Sequence, residues 1–573
     1  MAGNFERNNE LIRLMLEQEI DNPLSDEEEE VGSDPEIFSE HNTDSEGGGE
    51  DEEEPPIALP QIRPPTPTEF YLGKDKKTRW EVNEVPPGQA PCRNVIRARI
   101  PALSQTANQA STEYEFWSLF MDENIMRRIV TFTNQYIMNI SQNYADQSKV
   151  MVTNEIEMNS FIGLLVLAGV LHAGRLNVEE LWEKDGTGVE IFPATMSLQR
   201  FRFLCRSLRF DNAETREERK SVDRLAPIRE LFDSFVNNCK ANFSVGMFVT
   251  VDETLVSFRG RCPFRMYMPN KPAKYGLKIF SMVDSNLFYT SNMEVYVGVQ
   301  PNGPYEVSNS SKDVVLRMCE PVYNSGRNVT LDNWFVTYAL VEALTQKRLT
   351  VVGTVRRDKP FIPVDFVSTS HRAVNSSLFA FQKDKTLVSY IPKRNKCVVL
   401  ISTMHLDSKI DESTGDLRKP EIITFYNHTK GGVDSIDQMC TEYNVMRNSR
   451  RWPLTIFFHL LNVAGINSHV LHTIKNQTKL PRRKFLKNLA LELVKPMIEQ
   501  RATNLRLPTQ TRQLCKRLAG IQDPPRIAPE AGRRGRCHAC KDRKTQYYCQ
   551  KCHTWICLAH ATMLCRDCAE AQN

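Results

Sequence analysis

Asp252 lies in the run Phe248-Val249-Thr250-Val251-Asp252-Glu253, a β-branched stretch that reads as a strand. An ionised carboxylate is disfavoured inside a strand and costly to bury alone, so this position needs a partner such as a metal. Asp332 closes a second strand-like run, Val329-Thr330-Leu331-Asp332, at the kind of strand end where an α/β sheet exposes functional side chains. Asp434 and Asp437 stand three apart in Lys430-Gly431-Gly432-Val433-Asp434-Ser435-Ile436-Asp437-Gln438, and a helix would put both on one face. Two strand-borne aspartates and a helical one can hold two divalent cations. Mg²⁺ prefers a few carboxylates, keeps water and completes its shell with phosphate oxygens. A metal pair can activate an attacking oxygen and stabilise a leaving one in phosphodiester displacement.

A second chemistry sits at the far end, in Cys537-x2-Cys540-x8-Cys549-x2-Cys552-x4-Cys557-x2-His560-x4-Cys565-x2-Cys568. Seven cysteines and one histidine supply two four-ligand zinc sites with no ligand missing. The alternating pairs suggest a cross-brace: Cys537, Cys540, Cys557 and His560 on one Zn²⁺, Cys549, Cys552, Cys565 and Cys568 on the other. A segment this short has little core of its own, so metal must supply much of its folding free energy. Such a cross-brace can read histone tails, bind a ubiquitin-loading enzyme or bind DNA. The other eight cysteines (92, 205, 239, 262, 319, 397, 440 and 515) are scattered and read as packing residues.

The elements that must position the aspartates follow from the texture of the chain. From Tyr114 to Phe243 the apolar periodicity is helical, with candidate helices from Phe120 to Phe132, Phe161 to Leu171, Arg200 to Leu208 and Pro227 to Phe235. At Met247 it changes. Strands are expected over Met247 to Phe258, Leu277 to Val283, Leu287 to Val297, Val329 to Leu331 and Leu349 to Val355. Helices are expected around Asp313 to Cys319 and Val336 to Gln346, and three strands, helix, strand, helix, strand is the order of an RNase H-like α/β core. Residues 360–420, with further short strands and turn signals, look like an insertion. Helix returns at Gly432, and a long apolar helix runs from Pro453 to about Ile474.

Charge is unevenly spread over the 573 residues. Residues 21–54 hold sixteen acidic side chains and no Lys or Arg; without them the chain has 73 basic against 54 acidic residues, a balance of +19. Residues 443–491 carry nine Lys or Arg and no Asp or Glu. Such asymmetry points to a nucleic-acid partner. Acidic and then proline-rich, residues 21–69 cannot bury enough apolar area to order themselves, and Asn4 to Ile20 has apolar residues enough for a short amphipathic helix. Ser25 and Ser33, each followed by acidic residues, look like casein-kinase-type phosphorylation sites. The longest apolar run, Phe161 to Leu171, is too short to span a membrane, and the first residues lack the apolar stretch of a signal peptide. The cysteines are therefore expected in a reducing compartment. Lys271, Lys274 and Arg265 read as phosphate-neutralising cations, and Arg482-Arg483-Lys484 as phosphate contacts or part of a nuclear import signal.

Asp252-Glu253, Ser257 to Arg261, Cys262-Pro263-Phe264-Arg265-Met266-Tyr267 and Asn270-Lys271-Pro272-Ala273-Lys274-Tyr275-Gly276 closely resemble the piggyBac transposase family. So do Asp332-Asn333-Trp334-Phe335, Gly353-Thr354-Val355-Arg356, Lys430 to Met439 and Arg451-Trp452-Pro453, in order from about residue 115 to 568. The resemblance implies a cut-and-paste DNA transposase, in the nucleus and acting as a homodimer on double-stranded DNA. No membrane and no small-molecule substrate are implied. Carried over by motif, Asp252, Asp332 and Asp434 are catalytic and hold two Mg²⁺ (Mn²⁺ the alternative), with Asp437 assisting. The family nicks each element end, forms a hairpin there, and joins the freed 3′-OH to a TTAA target. Arg356, Lys359, Asn333, Lys274, Arg450 and Arg451 are then expected near DNA, with Trp452 stacking near the hairpin.

The domains expected from pattern and resemblance are an acidic, largely disordered region 1–103, a first helical dimerisation and DNA-binding segment 104–246, and a first core segment 247–359. There follow the insertion 360–420, a second core segment 421–443, a second helical segment 444–520, a basic linker 521–536 and a zinc domain 537–573. The fold class is thus multidomain α/β, with an RNase H-like core, a β-rich insertion, a helical domain and a cross-brace zinc domain. The rival functional reading is a domesticated descendant that binds DNA or chromatin without moving an element; a zinc-dependent ubiquitin ligase would explain only the tail. The acidic head is expected to compete with DNA for the basic body and suppress non-specific binding.

Overall fold

The computed structural model describes residues 70–85, 101–144, 150–174, 176–269, 271–522, 530, 532–550 and 552–563. The acidic head, the helix expected over Asn4 to Ile20, Ser25, Ser33, Cys92, Cys565, Cys568 and most of the basic linker before Glu530 lie outside the described residues. The chain falls into two units, Met1–Met497 and Ile498–Asn573.

In the first unit eleven strands form one mixed sheet: β1 (Phe70–Leu72), β2 (Arg79–Glu81), β3 (Phe248–Ser257), β4 (Met266–Tyr267), β5 (Tyr275–Asp284), β6 (Thr290–Val295), β7 (Asn328–Leu331), β8 (Thr350–Thr354), β9 (Ser377–Gln382), β10 (Lys385–Lys393) and β11 (Lys396–Ser402). The order across the sheet is β1-β2-β9-β10-β11-β8-β7-β3-β5, with β4 and β6 both on the outer edge of β5. β3, β7 and β8 run parallel; β5 and β11 are antiparallel to their neighbours β3 and β8. Parallel neighbours need crossovers, supplied by helix α6 (Ser311–Cys319) before β7 and α7 (Tyr338–Gln346) between β7 and β8. Near-continuous burial along β5 and β7 fits strands covered on both faces.

Helices α1 (Glu113–Ser118), α2 (Glu123–Ser141), α3 (Glu155–Val170), α4 (Leu198–Ser207) and α5 (Arg229–Asn242) precede the sheet. The helix expected from Phe120 starts later, because Asp122 caps it by accepting from the Ile125 N–H at 2.8 Å. Pro227 lies outside α5, in a turn closed by Ile228 N–H to the Leu225 carbonyl at 2.9 Å. From Phe161 onward α3 is apolar all round and buried. A Cβ at Gly163 would lie 2.8 Å from Leu493 Cβ and 3.0 Å from the Ala490 carbonyl, so that glycine sets a close helix contact.

After β11 come α8 (Glu421–Thr429), α9 (Gly432–Glu442) and α10 (Trp452–Asn476). α10 is long and apolar enough to cross a membrane by length and composition, a feature the count of uninterrupted apolar residues missed. Its most apolar window is wholly buried inside the fold, as in a core helix. One of its interior polar groups bridges to the sheet: Asn467 accepts from the Thr290 N–H and donates to the Thr290 carbonyl, both at 2.9 Å.

Two expectations change. Residues 70–81, assigned with the disordered head, form a hairpin that joins the sheet through Glu81 opposite Phe381. Trp80 is fully buried there and donates to the Phe361 carbonyl at 2.9 Å. Three of the strands within 360–420 continue the same sheet by antiparallel pairing of β11 with β8, so this segment is built onto the core's edge.

Candidate functional site

Thr250 pairs with Thr330 and Val251 with Leu331 along the parallel strands β3 and β7. One step on, Asp252 and Asp332 stand on adjacent strands about 4.8 Å apart, on the face that carries Thr250 and Thr330. That face is pinned beneath α8. The Thr250 hydroxyl donates to the Thr429 carbonyl at 2.5 Å, and the Thr330 and Thr429 hydroxyls meet at 2.8 Å. Thr429 ends α8, so the turn into α9 is held over both strands. At the start of α9 a Cβ on Gly432 would lie 2.9 Å from Thr250 Oγ1, which only glycine permits. The close approach brings Asp434 and Asp437, three apart on α9, to the strand aspartates.

The electrostatics follow from this crowding. Burial, then Glu253, push the Asp252 carboxyl well above the usual carboxylate range; Asp434 and Asp332 add to the rise and Lys271 opposes it. Burial raises Asp437 to about 7, against the Thr254 hydroxyl and Lys271. Its Oδ1 is sealed from solvent and has no hydrogen-bond partner among the described residues. Asp434 is open, with 70% of its side chain exposed. Asp332 accepts from Thr354 Oγ1 at 3.1 Å. Lys271 Nζ donates to the Glu253 carbonyl at 3.0 Å and lies 3.7 Å from Asp434 Oδ1. Burial pulls Lys278 down to about 8, against Glu253 and Asp252; its ammonium lies 4.8 Å from the ring centres of both Phe280 and Trp334. Reading the sequence missed Lys278 and Thr254, although a charge within the apolar run of β5 was as visible as Asp252 in β3.

The raised carboxyls set a pH dependence. An unfolded Asp437 loses its proton near 4, whereas the folded one keeps it until about 7, so without divalent metal the folded state loses stability as pH rises between those values. Urea unfolding in Mg²⁺-free buffer should show this fall, and Asp437→Asn should flatten it; identical slopes would refute the assignment.

Asn333, Arg356 and Lys359 are half-buried, next to Asp332 and just past β8, and Lys274 is exposed in the turn before β5. Arg265 donates to the carbonyls of Arg259 and Gly260, each at 3.2 Å. Trp452 opens α10, half-buried, edge-on to Phe264 with ring centres 4.9 Å apart. Beside it is a recess of about 310 Å³, lined among others by Arg209, Arg216, Lys220 and Arg450. The two flanking arginines differ. Arg450 is exposed, whereas Arg451 donates to the carbonyls of Arg206 (3.1 Å) and Leu208 (2.5 Å), and burial lowers it to about 10. Arg451→Ala should therefore cost about 1–3 kcal/mol of stability and Arg450→Ala under about 0.5. Equal melting temperatures for the two variants would contradict this. Arg482 is likewise sealed in the core, donating to the Met439 carbonyl at 2.7 Å, and is neither a phosphate contact nor part of an import signal; Arg483 and Lys484 are exposed.

In the second unit the ligand atoms of Cys537, Cys540, Cys557 and His560 all lie within 4.8 Å of one another. The Cys540 and Cys557 sulfurs are 3.9 Å apart, close to the roughly 3.8 Å edge of a tetrahedral zinc–thiolate site. Backbone N–H groups of Cys540 and Cys557 aimed at Cys537 bring its thiol down to about 6. The second pair, Cys549 and Cys552, repeats the local geometry of the first. The residue after each pair has a left-handed backbone (Lys541 φ 54°, His553 φ 52°) and returns its N–H at 2.8 Å to the carbonyl of Cys537 or Cys549. The remaining ligands expected for that pair are outside the described residues.

A family model, Transposase IS4, matches residues 112–469. The chain belongs to that class of DNA transposases. Among solved structures, the cryo-EM structure of a piggyBac transposase synaptic complex with hairpin DNA superposes with a TM-score of 0.72 at 33% identity, covering 82% of this chain and 99% of that one. Human PiggyBac transposable element-derived protein 3 is 22% identical over 462 residues, covering 77% of this chain and 74% of that protein. The human chimeric ERCC6-PGBD3 protein matches at the same identity, and the chain spans 41% of its length. Within the transposases, the chain is a member of the piggyBac family.

Proposed function

We propose that this chain is a cut-and-paste transposase that binds the terminal inverted repeats of an element and cuts its ends by nicking and hairpin formation. It then joins the 3′-OH ends into TTAA sites. The observation that carries the reading is the meeting of Asp252, Asp332 and Asp434 on one sheet face, with an unpartnered buried Asp437 oxygen behind them. The strand order β6-β5-β3-β7-β8, three antiparallel then two parallel, supports an RNase H-like core.

The residues fit a divalent pair, because the crowded carboxylates and the orphaned oxygen are groups that a cation would relieve. Asp252, Asp332 and Asp434 would hold two Mg²⁺, or Mn²⁺. Bound there, the ions activate an attacking oxygen and stabilise a leaving one on phosphorus. Asp437, two hydrogen-bonding threonines and Gly432 fix the carboxylates that do the holding. Trp452 offers a face against which an unpaired base can stack, with Arg450 beside it for phosphate. Lys274, Arg356, Lys359 and Asn333 complete the DNA set; Arg451, bonded to the carbonyls of Arg206 and Leu208, anchors the start of α10.

The helical segments 104–246 and 444–520 serve DNA binding and dimerisation, and the protein works as a nuclear homodimer. The cysteine-rich domain holds two structural Zn²⁺ and contacts the element end, helped by Arg533, Arg534 and Arg536. A second reading, a nuclear DNA- or chromatin-binding protein without transposition, is favoured by the human relative PiggyBac transposable element-derived protein 3, whose name marks it as element-derived. End-labelled duplexes carrying the element's terminal repeat next to TTAA separate the two readings. In Mg²⁺ the transposase gives a nick and then a hairpin on a denaturing gel; binding without either product supports the second.

A further inference from the structure

The carboxylate cluster has its own cation. Lys271 Nζ lies 3.7 Å from Asp434 Oδ1 and 3.0 Å from the Glu253 carbonyl, with 22% of its side chain exposed. Asp252 and Asp437 are also within its electrostatic reach. Its backbone is in a short turn between β4 and β5, closed by Met268 N–H to the Lys274 carbonyl at 2.7 Å and Lys271 N–H to the Met268 carbonyl at 3.1 Å. The ammonium thus hangs from a surface turn by a flexible four-carbon stem, while the carboxylates sit on core elements. It can leave without disturbing the sheet.

We infer that Lys271 is a displaceable counter-ion, a positioning residue that holds the aspartates together in the metal-free protein and yields to the divalent ions. The inference rests on the metal-centre reading given above. A divalent ion entering the cluster meets the lysine's positive charge at short range, so Lys271 opposes metal binding while stabilising the empty centre. A lysine that served only to shape the site would do the reverse: its loss would weaken metal binding.

The test is calorimetric titration of Mn²⁺ into the full-length, zinc-loaded chain at fixed pH and salt, without DNA. The Asp252→Asn protein, which retains the acidic head, supplies the background for weak binding elsewhere. Lys271→Met should bind Mn²⁺ roughly tenfold more tightly than wild type, and its metal-free form should melt at a lower temperature. Lys271→Arg, which keeps the charge, should bind no more tightly than wild type. If Lys271→Met binds equally or more weakly while Asp252→Asn abolishes binding, the counter-ion role is wrong and the metal centre stands. If wild type and Asp252→Asn take up Mn²⁺ alike, both are wrong. Should Lys271→Met fold poorly, Lys271→Gln gives the same comparison.

Discussion

Asp252→Asn is expected to lower strand cleavage by at least about 10³-fold while the protein still folds and binds DNA. The amide keeps the shape of the carboxyl but brings no charge to a metal. In the metal-free state that charge is a burden, since burial and the neighbouring Glu253, Asp434 and Asp332 already push Asp252 towards its protonated form. The variant should therefore melt at the same temperature as wild type or slightly higher in Mg²⁺-free buffer, an unusual pairing of lost activity with retained stability. Asp332→Asn should cleave as poorly. Asp437→Asn should lose less, roughly 10–100-fold, because it acts by orienting α9 and the other carboxylates. Nicking rates on a denaturing gel, binding by fluorescence anisotropy and thermal melts check all three. Cleavage by Asp252→Asn within tenfold of wild type would rule out its place at the centre.

Zinc removal is expected to have the largest structural effect. Structural zinc contributes about 10–16 kcal/mol in small zinc domains, far more than a unit with so few buried apolar side chains can supply. Chelation with phenanthroline should unfold the region around 532–563, release two Zn²⁺ per chain and open it to proteases, while the sheet and helices of the first unit, from Phe248 to Asn476, are cut no faster than before. Cys537→Ser should do the same to its own site. End binding should weaken with it if this unit contacts DNA. Release of one Zn²⁺ would eliminate the second site, whose similarity to the first rests on the matched turns at Lys541 and His553.

The aspartates were legible because each broke a strong local pattern: a carboxylate within a β-branched strand, another at a strand end, a spaced pair in a glycine-led helix. What surrounds them was not. Lys271 is eighteen residues from Glu253 in sequence, and only the antiparallel return of β5 places it over that carbonyl. The Thr250–Thr429 bond spans 179 residues, and no local periodicity carries such information. Strands β1 and β2 are three residues each, and β2 finds its partner near residue 381, so their texture alone carries no strand signal and groups them with the disordered head. Arg450 and Arg451 look alike in sequence; the carbonyls of Arg206 and Leu208, which only the tertiary fold brings near, separate them.

The central claim is that Asp252, Asp332 and Asp434 hold divalent ions against the DNA to be cut. Crystals of the protein with a terminal-repeat duplex and Mn²⁺ test it directly through the anomalous scattering of manganese. Peaks between these three carboxylates, with the scissile phosphate beside them, are the expected result. An ordered DNA end with no manganese at the three aspartates would contradict it.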